Sequence, residues 1–322
     1  MCAVVLCLVV SAAAAAPQST GAVERARRQF EEGHYEESAR TLESAVSESP
    51  QDDAVYYGLG RARFELRDYT GAIEALKHAA ELRAQNSEYH RWLGRAYGEQ
   101  ADRERSFSLA RHVRDQFEEA VRLDPSNIAA RRDLLEFYLD APRILGGGRE
   151  KGWSQAAAIA VIDPVAGHLA RAVCWARQGK GEGTSGATSE YKAVLDAKPR
   201  QVEPYLEAAV FYEKQKDPAG LRAAVEGADA VKLSAPELAY FRGVLNVIAG
   251  RKSEDAEASL KMYLSAVPPR SDRPSHASAH EWLGRLYESL GQPALAAAEY
   301  RNALALDPRR ESARQSLRRL GQ

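Results

Sequence analysis

Apolar residues in the stretch 280–308, HEWLGRLYESLGQPALAAAEYRNALALDP, recur with helical rather than strand spacing. Leu283, Gly284 and Tyr287 share one side of a first segment, and Ala296, Tyr300 and Ala303 fall at i, i+4 and i+7 of a second. Gly291-Gln292-Pro293 splits the two segments and Pro308 stops the second. The pattern predicts two antiparallel helices of about three turns each. Gly284 and Ala296 are small where the helices must approach, and Tyr287 and Tyr300 fill the space beside them. A hairpin of this size cannot bury its apolar face alone, so it needs neighbours of the same kind.

The same pattern recurs upstream at a fixed interval. Tyr35 and Tyr69, Leu42 and Leu76, and Ala45 and Ala79 are each 34 residues apart, as are Leu59-Gly60 and Leu93-Gly94. The segments YYGLGRAR (56–63), HRWLGRAY (90–97) and HEWLGRLY (280–287) are one theme written three times. Gly33-His34-Tyr35 and Arg67-Asp68-Tyr69 supply the turns, and prolines close the pairs at 50, 125, 164, 199, 236, 268 and 308. This period and pattern resemble the tetratricopeptide repeat family, whose unit is a 34-residue helix–turn–helix. The resemblance implies an all-α fold: a right-handed superhelical solenoid of about eight antiparallel helix hairpins, some degenerate.

The expected organisation has four parts. Residues 19–127 hold three units, the third lengthened: 41 residues separate Ala84 from Pro125. Seven extra residues are nearly two helical turns, so they lengthen the helices without rotating the buried stripe. Residues 128–266 hold degenerate middle units, broken by a glycine-rich stretch, APRILGGGREKGW (141–153), read as a long loop. A proline-rich spacer at 267–276 precedes the last unit, 277–310. Residues 311–322 form a capping helix, with Ala313, Leu317 and Leu320 on one face and arginines on the other.

Composition narrows the function. The chain has 322 residues, 45% hydrophobic and 28% charged, with net charge −1, a balance that argues against a general nucleic-acid binder. Residues 1–16 carry no charge, an apolar core at 3–10 and an alanine-rich end. They read as a secretory signal cleaved after Ala15, although no Lys or Arg precedes the core. At that length the segment does not span a bilayer. The expected location is therefore periplasmic or secreted. Of three cysteines, Cys2 and Cys7 lie in this segment, which leaves Cys174 as a buried structural thiol.

Motifs for chemistry are weak. Gly181, Gly183 and Gly186 match a dinucleotide fingerprint by letter but follow a helical pattern rather than a strand, and read as a flexible turn. GGGREK (146–151) lacks the P-loop spacing and its Lys-Ser/Thr ending. His276 and His280 stand four apart with no further ligand cluster, and His276 is expected to precede the helix. Gly183 to Ala187 lacks the final glycine of a nucleophile elbow. No catalytic residue, metal site or cofactor is expected.

In the family that this chain resembles, the first helix of each unit lines a concave groove. Aligning the units puts Arg27, Arg61, Arg95 and Arg285 at one helix position, with Arg91 and Tyr57 one turn earlier and Trp92 beside them. Guanidinium forks among aromatic rings suit carboxylates, phosphates or an acidic peptide. Some family members clamp a peptide's terminal carboxylate with two basic residues on the third first-helix, which Arg91 and Arg95 resemble. Arg27 and Arg61 stand where asparagines belong in that clamp. The expectation is a non-catalytic scaffold holding a protein or peptide partner, without stable membrane insertion. The alternatives are an enzyme or accessory binding a small anion near 141–153, and a purely structural spacer.

Overall fold

The computed structural model describes residues 20–250, 254–269 and 273–321. The predicted signal segment and both of its cysteines lie outside them, as do 270–272 of the spacer. Among the described residues there are seventeen α-helices, one 3-10 turn (Arg143–Leu145) and no strand. They fall into two compact units, divided between Gln85 and Asn86.

The first unit is two hairpins: α1 (Thr20–Glu31) with α2 (Tyr35–Glu48), and α3 (Asp53–Glu65) with α4 (Tyr69–Leu82). Asp52 and Asp68 cap α3 and α4 by accepting hydrogen bonds from Ala54 N–H and Gly71 N–H. Ala26, Leu42, Val55, Leu59 and Ala62 form the core between them. At Gly60 the helices nearly touch, since a Cβ there would stand 2.5 Å from Leu76 Cγ. Ser38 Oγ adds a buried bond to Ala26 O, tying α2 to α1.

The second unit holds six hairpins and a last helix. They are α5 (Ser87–Glu104) with α6 (Phe107–Leu123), α7 (Ile128–Asp140) with α8 (Arg149–Ile162), and α9 (Pro164–Ala176) with α10 (Glu182–Asp196). Then come α11 (Glu203–Gln215) with α12 (Pro218–Ala230), α13 (Ala235–Ile248) with α14 (Glu254–Ala266), and α15 (His276–Ser289) with α16 (Pro293–Leu306). Helix α17 (Glu311–Arg319) ends the chain and buries Ala313. The extra residues of the third hairpin do lengthen its helices: α5 has 18 residues and α6 has 17, against 13 in α3 and 14 in α4.

Three of the four middle hairpins obey the same packing rule with the partners exchanged, while α13/α14 keeps its glycine on the first helix, Gly243 against Leu260. In α5/α6 and α15/α16 the glycine sits on the first helix, Gly94 against the Phe117 ring and Gly284 against the Tyr300 ring. In α7/α8 the glycine is Gly152 on the second helix, against Leu139. In α9/α10 it is Gly186, against the Trp175 ring, and in α11/α12 Gly220 and Gly227 receive Tyr212 and Tyr205. Large-against-small is kept while the sides swap, which is why these units look degenerate by letter.

Two local expectations need correction. The glycine-rich stretch is a short loop, since residues 149–153 already belong to α8. The amides of its three consecutive glycines are used: Gly146 N–H bonds Arg143 O, Gly147 N–H bonds Pro142 O, and Gly148 N–H bonds Tyr138 O. The stretch 181–186 is not a flexible turn. Only Gly181, at φ 82°, makes the turn, and Gly183 and Gly186 lie inside α10 because Trp175 leaves no room for a side chain there.

Candidate functional site

The aligned first-helix residues fall into different surroundings. In the first unit, Arg27 is an exposed residue of α1, held by Glu24 at 2.9 Å and Glu31 at 3.0 Å on its own helix. Arg61 on α3 is half-buried and lies over the Phe30 ring, 4.5 Å from its centre, with the Tyr57 ring at 5.6 Å. Tyr57 precedes it by one turn, so helical spacing alone places the ring under the guanidinium.

In the second unit, Trp92 is buried and carries both arginines of α5. Arg95 lies 4.2 Å from its ring centre and Arg91 lies 5.7 Å away. Arg91 is committed to Glu88 and, on α7, to Asp133, each at 2.9 Å. Arg285 on α15 repeats the Arg95 arrangement, 4.7 Å over Trp282, and also bonds Glu281 at 2.6 Å. A guanidinium stacked by its face interacts with the ring quadrupole, worth about 0.5–2 kcal/mol, and keeps a planar fork suited to carboxylates.

The first helices expected to line a groove are tied to one another in this unit by the chain's own side chains. Arg132 on α7 reaches past α9 to Glu207 on α11 with two bonds, 2.5 and 2.8 Å. Burial works against the Arg132 charge, and Glu207 outweighs it, raising its pKa. Burial pushes the Asp133 carboxyl up despite Arg91, Arg95 and Arg132 nearby. Glu213 on α11 accepts from Tyr240 Oη of α13 at 2.7 Å and from Trp282 Nε1 of α15 at 2.6 Å. Burial raises its pKa as well, against both donors. Glu281 is the hub of the last hairpin, bonded by Arg285, Arg310 and Ser312.

These acidic groups were not among the expected site residues. One signal was available: Arg132 stands 41 residues after Arg91, the lengthened period of the third hairpin, and so takes the same helix position. Nothing in the sequence identifies Glu207 or Glu213 as the partners, because the pairing skips a hairpin.

The histidine pair serves packing. His276 opens α15 rather than preceding it, and its Nε2 faces Val267 O at 2.8 Å. His280 Nδ1 pairs with Glu299 of α16 at 2.6 Å. No group of three or more potential metal ligands occurs among the described residues. Cys174 is fully buried, and burial pushes its thiol up to about 11, far from thiolate chemistry at neutral pH. No helix of the described residues is long and apolar enough to cross a membrane.

Comparison with known proteins places this geometry. Residues 29–96 and residues 277–310 each match a tetratricopeptide repeat family. Among solved structures, yeast Tom70 aligns with a TM-score of 0.60 at 16% identity, covering 89% of this chain and 58% of that one. The APC/C hetero-tetramer Cut9-Hcn1 aligns with a TM-score of 0.51 at 14% identity, covering 93% of this chain and 55% of that one. The chain thus spans little more than half the length of either, and the likeness is one of fold. No curated protein matches the chain significantly. With their hairpins and their period in agreement with both matches, residues 29–96 and 277–310 are tetratricopeptide repeats, and the helix hairpins between them share that fold.

Proposed function

We propose that this protein is a non-catalytic scaffold for a partner protein, each unit taking acidic side chains of that partner through arginines laid on aromatic rings, Arg61 in the first unit and Arg95 in the second. The observation that carries the reading is that arginines at one repeat position lie over rings from two sources: Arg95 and Arg285 on the tryptophan three residues earlier on their own helix, and Arg61 on Phe30 of α1. Arg61, Arg95 and Arg285 each lie between 4.2 and 4.7 Å from an aromatic ring centre. Such rings fix the guanidinium plane before a carboxylate arrives, which lowers the ordering cost of binding. The Cut9-Hcn1 structure is a hetero-tetramer, so one architecture of this kind works within an assembly. The glycine amides at 146–148 are bonded to the Arg143, Pro142 and Tyr138 carbonyls, so they do not favour the small-anion alternative.

The test is anisotropy of labelled acidic peptides against the full chain and against the R61E/R95E double variant, with circular dichroism as the fold control. The scaffold reading expects binding by the wild type and its loss in the variant. A structural spacer would bind neither way. We place the protein outside the cytoplasm on the strength of its uncharged, alanine-ended first sixteen residues. Cell fractionation and N-terminal sequencing check this, with Ala16 expected as the first mature residue.

A further inference from the structure

A second recognition surface lies away from the arginine positions, at the junction of α10, α11 and α12. A cavity of about 780 Å³ opens there, a size typical of small-molecule sites. Leu195, Pro199, Tyr205 and Val231 give it an apolar floor, and Lys198, Arg200 and Lys232 stand at its rim. Ion pairs absorb many of the arginines of this chain. These three cations, in contrast, make no side-chain hydrogen bond or ion pair with any described residue. Of the two acids at the cavity, Asp196 is held by Lys192, and only Glu226 opposes the three.

Backbone geometry adds to this. Lys198 and Lys232 both have left-handed conformations, φ 48° and 64°, at the ends of α10 and α12. Glycine is the residue that adopts this conformation without strain. Arg67, Arg105 and Lys216 adopt the same conformation elsewhere among the described residues, and Lys198 and Lys232 are the two that border this cavity.

We propose that this cavity binds an organic anion: a carboxylate head gripped by Lys198, Arg200 and Lys232, with an acyl body lying on Tyr205 and its apolar neighbours. A bare inorganic ion leaves most of the volume and all of the apolar floor unused. A neutral amphiphile leaves three cations uncompensated.

The strain supplies a clean test. K198G/K232G removes two charges while relaxing the backbone at both positions, so the fold is retained. Titration calorimetry of decanoate into the full chain should show saturable binding at one site, weakened about tenfold or more in K198G/K232G. Binding should be unchanged in R61E/R95E, which separates this site from the peptide reading. The proposal is overturned if decanoate does not saturate, if K198G/K232G binds it equally, or if decyl glucoside binds as well. Acetate binding as tightly as decanoate overturns it too, since the acyl body would then contribute nothing.

Discussion

Arg132 and Glu207 form a two-pronged ion pair between α7 and α11, at 2.5 and 2.8 Å, across the hairpin that separates them in sequence. Within the second unit, alternate first helices are thus linked by side chains as well as by stacking. Such a link resists splaying of the hairpin between them, because both ends must move for that hairpin to open.

Removing one partner should therefore matter. Both side chains are somewhat over a quarter exposed, so the penalty falls below that of a fully buried pair. Glu207→Ala is expected to destabilise by about 2–3 kcal/mol, and R132M/E207L to recover much of that. Urea denaturation of the full chain followed by circular dichroism gives the comparison. An unchanged midpoint for Glu207→Ala would remove the clamp from this account.

Glu213 and Glu281 should respond to pH in opposite senses. The folded pKa of Glu213 lies above its unfolded value because burial outweighs the Tyr240 and Trp282 donors. The folded state takes up that proton first, so wild type gains stability on Glu213→Gln as pH falls from neutral toward about 4.3. For Glu281, burial opposes ionisation but Arg310 and Arg285 prevail and hold the folded pKa below the ordinary value. Its contribution is full above that value and is lost as pH falls through the folded pKa. Glu281→Gln should cost about 1–3 kcal/mol at pH 7, with the deficit shrinking in acid. Thermal melts of both variants from pH 7 to pH 3 check the signs, and parallel curves would contradict them.

Gly284→Ala tests close helix approach. The added Cβ would stand 2.6 Å from the Tyr300 ring, which is itself fully buried and bonded through its hydroxyl to Glu288. Overpacking of this kind costs about 1–3 kcal/mol. Gly21→Ala in α1 meets nothing within 4 Å and should be neutral or stabilising by up to about 0.5 kcal/mol. Equal melting temperatures for the two variants would show that the hairpin has slack.

His280→Ala removes the Nδ1 contact to Glu299 that ties α15 to α16. The expected loss is about 1 kcal/mol, a typical net hydrogen-bond contribution. Hydrogen exchange should show faster opening of α16 than of α12, which this contact does not reach. Uniform exchange throughout the second unit would argue against a local role.

The hairpin count was readable because each pair repeats a local rule: apolar residues at helical spacing, a turn and, after every pair but the second, a proline. Gly60, Gly94 and Gly284 recur at one position and announce themselves. Gly152, Gly186, Gly220 and Gly227 were harder to place, because the small residue had moved to the second helix and its bulky partner to the first. For the same reason Gly183 and Gly186 spell a turn by letter although they lie inside α10, crowded by Trp175.

Sequence alone determined what local periodicity can carry: an all-helical chain, its repeat length, the lengthened third hairpin and the first-helix arginines in register. Tertiary structure alone decided what those arginines do. Arg27 faces its own helix, Arg91 and Arg285 are bound to Asp133 and Glu281, and Arg61 and Arg95 lie on rings. The reason is physical. Helical spacing selects a face, but a charge is satisfied by whichever group the stacked hairpins bring within about 4 Å, and stacking distance is not written in any one repeat.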